Sequence, residues 1–86
     1  MKVLLTFPNV TQAIWAEKLF RDNKMAIRVI PLPTSLGDFC GIALQIQTDV
    51  VVKAKQILHE AGVVLEAIFQ MEEKEEGTRY TKWEIS

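Results

Sequence analysis

The chain has 86 residues with 10 Lys plus Arg against 11 Asp plus Glu, a formal charge of −1, and only one Cys and one His. That length holds one domain with a thin stability margin, and the near-neutral balance supplies no field to recruit a phosphate backbone or an anionic membrane. No apolar run nears the roughly 20 residues of a membrane span, and Cys40 with a distant His59 is too small a ligand set for structural zinc. The expectation is a cytoplasmic protein with no leader, metal, cofactor, membrane or nucleic-acid partner.

"KVLLTF" at residues 2–7 alternates as a strand, with Val3, Leu5 and Phe7 on one face, and "PN" breaks it. Asn9 is a good N-cap, and Gln12 three positions later completes a capping-box variant. The helix that follows is expected over 10–23, with Val10, Ala13, Ala16, Leu19 and Phe20 as its apolar stripe. "AIRVIPL" at 26–32 is a second strand. Pro31 and Pro33 remove ladder donors at its end, which suits an edge position or a strand terminus. "GIALQIQ" at 41–47 alternates most cleanly: Ile42, Leu44 and Ile46 face inward and Ala43, Gln45 and Gln47 outward. Thr48 or Asp49 is expected to cap a second helix that ends at Gly62, a C′ residue. "VVLEAIFQM" at 63–71 is the fourth strand.

The order β-α-β-β-α-β predicts an α+β ferredoxin-like plait: a four-stranded antiparallel sheet with two helices on one face and the other face open and polar. A parallel, flavodoxin-like sheet fits less well. Its strands would be continuous apolar runs, and the link from Pro33 to Gly41 is too short for a crossover helix. Residues 1–71 are assigned to this single domain. Residues 72–86 form a charged run, "EEKEEG", with a turn at Gly77, and an extension, "TRYTKWEIS". In the extension Trp83 and Ile85 fall on one face and Tyr80 and Lys82 on the other. Two readings stand: a fifth C-terminal strand, paired with the fourth or added to another copy, or a frayed terminus.

Candidate chemistry centres on Cys40. A working thiol needs thiolate character and access. Asp38 nearby would raise the thiol pKa and Arg28 on the preceding strand would lower it. The small and polar residues Thr34, Ser35, Gly37 and Gly41 would let backbone N–H groups gather around an anionic sulfur, and Gly41 would allow close backbone approach. The alternative is a small buried apolar residue. Glu17 lies inside the apolar stripe of the first helix, so its carboxylate calls for a partner, with Arg28 or the loop amides as candidates, or else reaches water at the margin. Trp15 and Trp83 are candidates for a self-association patch. His59 opposes the stripe of the second helix and reads as a solvated residue. RNA binding on the sheet face is disfavoured, because "KVLLTF" and "GIALQIQ" place no aromatic outward.

The run "RVIPLPTSLGDFCGIAL", preceded by "LLTFPNVTQAIWAEKLF" and followed by a helix and "VVLEAIFQM", resembles a small bacterial family of selenium/sulfur carrier-like proteins. The matching features are Arg28, Ile30, Pro31 and Pro33, then Cys40-Gly41, with the pair Glu17-Lys18 on the first helix. Thr34 stands where the family commonly has Arg. The resemblance covers 2–71. It implies that Cys40 carries sulfur or selenium as a persulfide or selenosulfide between donor and acceptor proteins. The reading from a different class is a non-catalytic ligand-sensing or interaction module that forms a homodimer through its sheet or C-terminal strand.

Overall fold

The computed structural model describes residues 2–33, 36 and 41–83. In chain order these form β1 (Lys2–Thr6), α1 (Val10–Asp22), β2 (Arg28–Pro31), β3 (Ile42–Gln47), α2 (Val51–Ala61), β4 (Ala67–Lys74) and β5 (Gly77–Lys82). The strands make one antiparallel sheet in the order β2-β3-β1-β4-β5. This is the ferredoxin-like arrangement with the fifth strand formed, and that strand pairs with β4 of its own chain.

Local chemistry sets the boundaries of α1. Asn9 is extended, and its side chain accepts the Gln12 N–H at 2.9 Å, as the N-cap signal predicts. The reciprocal half of the capping box is absent, because the Gln12 side chain instead accepts the Val64 N–H at 2.9 Å. At the other end Lys24 takes a left-handed φ of 58°, and the Met25 N–H returns to the Phe20 carbonyl at 2.9 Å. Ala13, Ala16 and Phe20 are buried as the stripe requires, but Val10 stays 46% exposed. As the first helical residue its Cβ tilts back toward the helix start, away from the turns that pack on the sheet.

The start of α2 departs from expectation. Neither Thr48 nor Asp49 caps it: Thr48–Val50 form a turn of 3-10 helix, and the N-cap Val50 makes no side-chain capping bond. A side-chain cap requires an extended N-cap residue, and the 3-10 turn puts Thr48 and Asp49 in helical backbone instead. The Thr48 hydroxyl oxygen is left buried without a described partner. Gly62 closes the helix as predicted, at φ 75°, with the Val63 N–H reaching the Leu58 carbonyl at 2.9 Å.

The largest boundary shift is in β4, which begins at Ala67 and runs to Lys74. Val63 is spent on the core, and the Glu66 N–H bonds the Thr6 carbonyl at 2.8 Å before the strand proper starts. Beyond Met71 the chain stays extended through Glu72, Glu73 and Lys74, because β5 supplies ladder partners out to Lys74↔Gly77. The charged run is therefore strand up to Lys74, and the turn falls on residues 75 and 76, with Gly77 opening β5. Composition alone could not show this: propensity disfavours Glu and Lys in strands, and pairing overrides it.

The main core lies between the helices and one sheet face. Val3, Leu5, Phe7, Leu44, Ile46 and Ile68 from the sheet side meet Ala13, Ala16, Phe20, Ala54 and Leu58 from the helices. The outer face is polar at one end, as expected, but not throughout. Leu4 and Ala43 point outward by strand parity yet are 0% exposed, grouped with Leu32 and packed by Ile30, Leu36, Phe69, Met71 and Tyr80. Leu32 and Leu36 belong to the β2–β3 connection, so part of that connection is laid on the outer face and gives the sheet a second, smaller apolar layer.

Candidate functional site

The site marked by the sequence is the connection between β2 and β3. Its described ends are held together. The Leu32 N–H donates to the Gly41 carbonyl at 3.1 Å, extending the β2–β3 pairing one step past Pro31↔Ile42. The Leu36 N–H donates to the Pro33 carbonyl at 2.9 Å, and Leu36 packs against the outer-face cluster. Proline suits this hairpin because β2 is an edge strand. Cys40 and Thr34 lie outside the described residues.

Gly41 is exposed at φ 82°, and a Cβ placed there would meet nothing within 4 Å. A positive φ of this size is a backbone conformation that favours glycine.

Arg28 sits at the opposite end of the hairpin. It pairs with Gln45, four residues along β3 from Gly41, a separation of about 13 Å at 3.3–3.4 Å per residue. Strand parity puts Arg28, Gln45, Lys2 and Gln47 on the outer face, and together they line a groove of about 270 Å³. This grouping was half legible in sequence: the outward glutamines follow from alternation, but the juxtaposition of Lys2 with Arg28 needs the strand order.

Glu17 has a local partner. Its carboxylate accepts from Nε and Nη2 of Arg21, one turn on, at 3.1 and 2.9 Å. A carboxylate at the stripe margin is thus satisfied within its own helix, and neither Arg28 nor the loop is its described partner. Trp15 is 43% exposed on α1. Trp83, just past β5, packs against the main core, donates its backbone N–H to the Ile68 carbonyl at 2.7 Å, and borders an apolar groove with Thr48, Val51, Val52 and Lys55. His59 is exposed on α2. Among the described residues no group of three or more His, Cys, Asp or Glu could hold a metal ion. No described helix is long and apolar enough to cross a membrane.

The family comparison spans this whole arrangement. The family model described as "Putative Se/S carrier protein-like" matches residues 2–70. The chain belongs to this family. The match runs from the start of β1 into β4, so it contains the β2–β3 connection and Cys40 but stops short of the β4–β5 turn and β5. No curated protein and no solved structure matches the chain.

Proposed function

We propose that the chain is a sulfur or selenium carrier that holds the transferred atom on Cys40 as a persulfide or selenosulfide. The observation that carries this reading is the family match across residues 2–70, which contains the chain's single cysteine. The fold is compatible with it: the Leu32–Gly41 bond and the seating of Leu32 and Leu36 hold the described residues of the β2–β3 connection, the segment in which Cys40 falls by sequence, against the sheet.

The chemistry balances without an external oxidant. The Cys40 thiolate attacks the terminal sulfur of a donor persulfide. A new S–S bond forms on Cys40, the donor's S–S bond breaks, and the donor thiolate leaves with the electron pair. Release to an acceptor thiolate is the same exchange in reverse roles. A chain with one cysteine suits this cycle, because no second thiol in the molecule can displace the cargo and trap Cys40 in an internal disulfide. The family description names both selenium and sulfur, and a selenium atom would occupy the terminal position by the same displacement.

Mass spectrometry tests the reading. After incubation with a cysteine desulfurase and cysteine, the wild-type protein is expected to gain about 32 Da, roughly one sulfur atom on the thiol. The adduct should be lost on reduction and absent from Cys40→Ser. No adduct on the wild type, or an equal adduct on Cys40→Ser, rejects the proposal. Failure of native Cys40 to react with a mild alkylating reagent would also count against it.

A further inference from the structure

The β4–β5 hairpin outruns the rest of the sheet. The described register of β1 against β4 ends at Lys2↔Met71, whereas β4 and β5 continue through Glu72↔Arg79, Glu73↔Thr78 and Lys74↔Gly77. A two-stranded ribbon therefore stands past Lys2. It is acid-rich, with Glu72, Glu73, Glu75 and Glu76 against Lys74 and Arg79. Lys74 is already engaged with Glu72 at 3.7 Å, while Glu73, Glu75 and Glu76 are exposed and in no described ion pair.

The complementary charge lies at the same end of the sheet. Lys2 and Arg28 share the outer-face groove with Gln45 and Gln47, and neither cation is in a described ion pair. A second groove, of about 440 Å³, runs between Lys2 and Gln47 on one side and Met71, Glu72, Glu73 and Lys74 on the other. The two grooves share Lys2 and Gln47, so the acidic ribbon and the cationic corner are neighbours on one end of the sheet, with half-buried Met71 lining the groove beside the ribbon.

An isologous two-fold contact has the requirement that a patch and its complement lie side by side on one surface, so that a half-turn about an axis between them brings each onto the other. This end of the sheet meets it. We propose that it is a homodimer surface: the acidic β4–β5 ribbon of each copy seats on the Lys2–Arg28 corner of the other, with Met71 near the axis. A second copy is the occupant because the chain itself supplies both halves of the charge match. Pairing through sheet edges is less favoured. β2 is only four residues long and ends in a proline, and β5 carries Arg79 and Lys82 with no acid in its span, so a β5–β5 pair would gather like charge. The surface does not depend on the carrier reading.

Sedimentation velocity with paired charge reversals tests it. The wild type is expected to be dimeric at low ionic strength and to shift toward monomer in about 1 M salt, where the screening length falls to about 3 Å. One variant carries Lys2→Glu with Arg28→Glu, and another carries Glu73→Lys with Glu76→Lys. Each alone repels itself at this contact, with a dimer dissociation constant raised about tenfold or more. Mixing the two restores both matches, so the mixture should return to dimer. A monomeric wild type at low salt overturns the proposal. So does a variant that dimerises alone as the wild type does, or a mixture that stays monomeric while thermal melts show both variants folded.

Discussion

The Gln12 side chain accepts the Val64 backbone N–H at 2.9 Å, joining the first turn of α1 to the segment between α2 and β4 across 52 positions of sequence. The bond takes a residue suited to capping its own helix and uses it to pin a distant turn. Gln12→Ala should leave helix content unchanged, since the Asn9 cap remains, and lower stability by about 1 kcal/mol, the net value of one such bond. Chemical denaturation compared with far-UV circular dichroism checks both halves. A loss of helix signal at equal stability would contradict the assignment.

The outer apolar layer makes Leu4 a core residue despite its parity. It is 0% exposed, so Leu4→Ala is expected to cost about 2–5 kcal/mol, the range for a buried leucine. Val52, 79% exposed on α2, is the control, and Val52→Ala should change stability by less than about 0.5 kcal/mol. Urea midpoints for the two variants should differ widely. Equal midpoints would mean that the outer layer does not exclude water.

Gly62 holds a left-handed conformation at the end of α2, with φ at 75° and open space where a Cβ would stand. Gly62→Ala should cost about 1–2 kcal/mol through backbone strain alone, and Gly62→Asn should cost less, because Asn tolerates this region better. Thermal melts rank the three proteins. If Ala and Asn are equally destabilising, the strain account fails.

Trp83 ties the end of β5 to the main core and α2. Trp83→Ala removes a half-buried ring and should cost about 2 kcal/mol, below the range for a fully buried tryptophan. Trp15→Ala, on an exposed site, should cost less than half of that. Tryptophan fluorescence of the two single-Trp proteins during unfolding checks the placement: Trp83 should report a buried-to-exposed change and Trp15 a small one.

The helices were legible because their signals are local. Asn9, the spacing of Ala13, Ala16 and Phe20, and Gly62 each act within a turn or two of backbone. Pro31 marked an edge or a strand end in the same way, and β2 is an edge strand that ends at Pro31. The partners of polar side chains were less legible. Glu17 found Arg21 one turn away, a spacing visible in the sequence, but its position in the apolar stripe pointed toward longer-range partners. Thr48 looked like a cap and instead entered a 3-10 turn between β3 and α2.

By itself the sequence determined the order of the first six elements, the antiparallel plait and the resemblance that singles out Cys40, because periodicity, caps and prolines act over a few residues; the fifth strand stayed one of two readings. The tertiary structure decided what depends on neighbours far along the chain. Glu72 to Lys74 became strand only because β5 pairs with them. The outward face of β1 and β3 became a second apolar layer only because Leu32 and Leu36 return over it. Lys2 and Arg28 came to share a groove only because β3 lies between their strands. A strand's pattern fixes which residues share a face, and the sheet order fixes which faces meet.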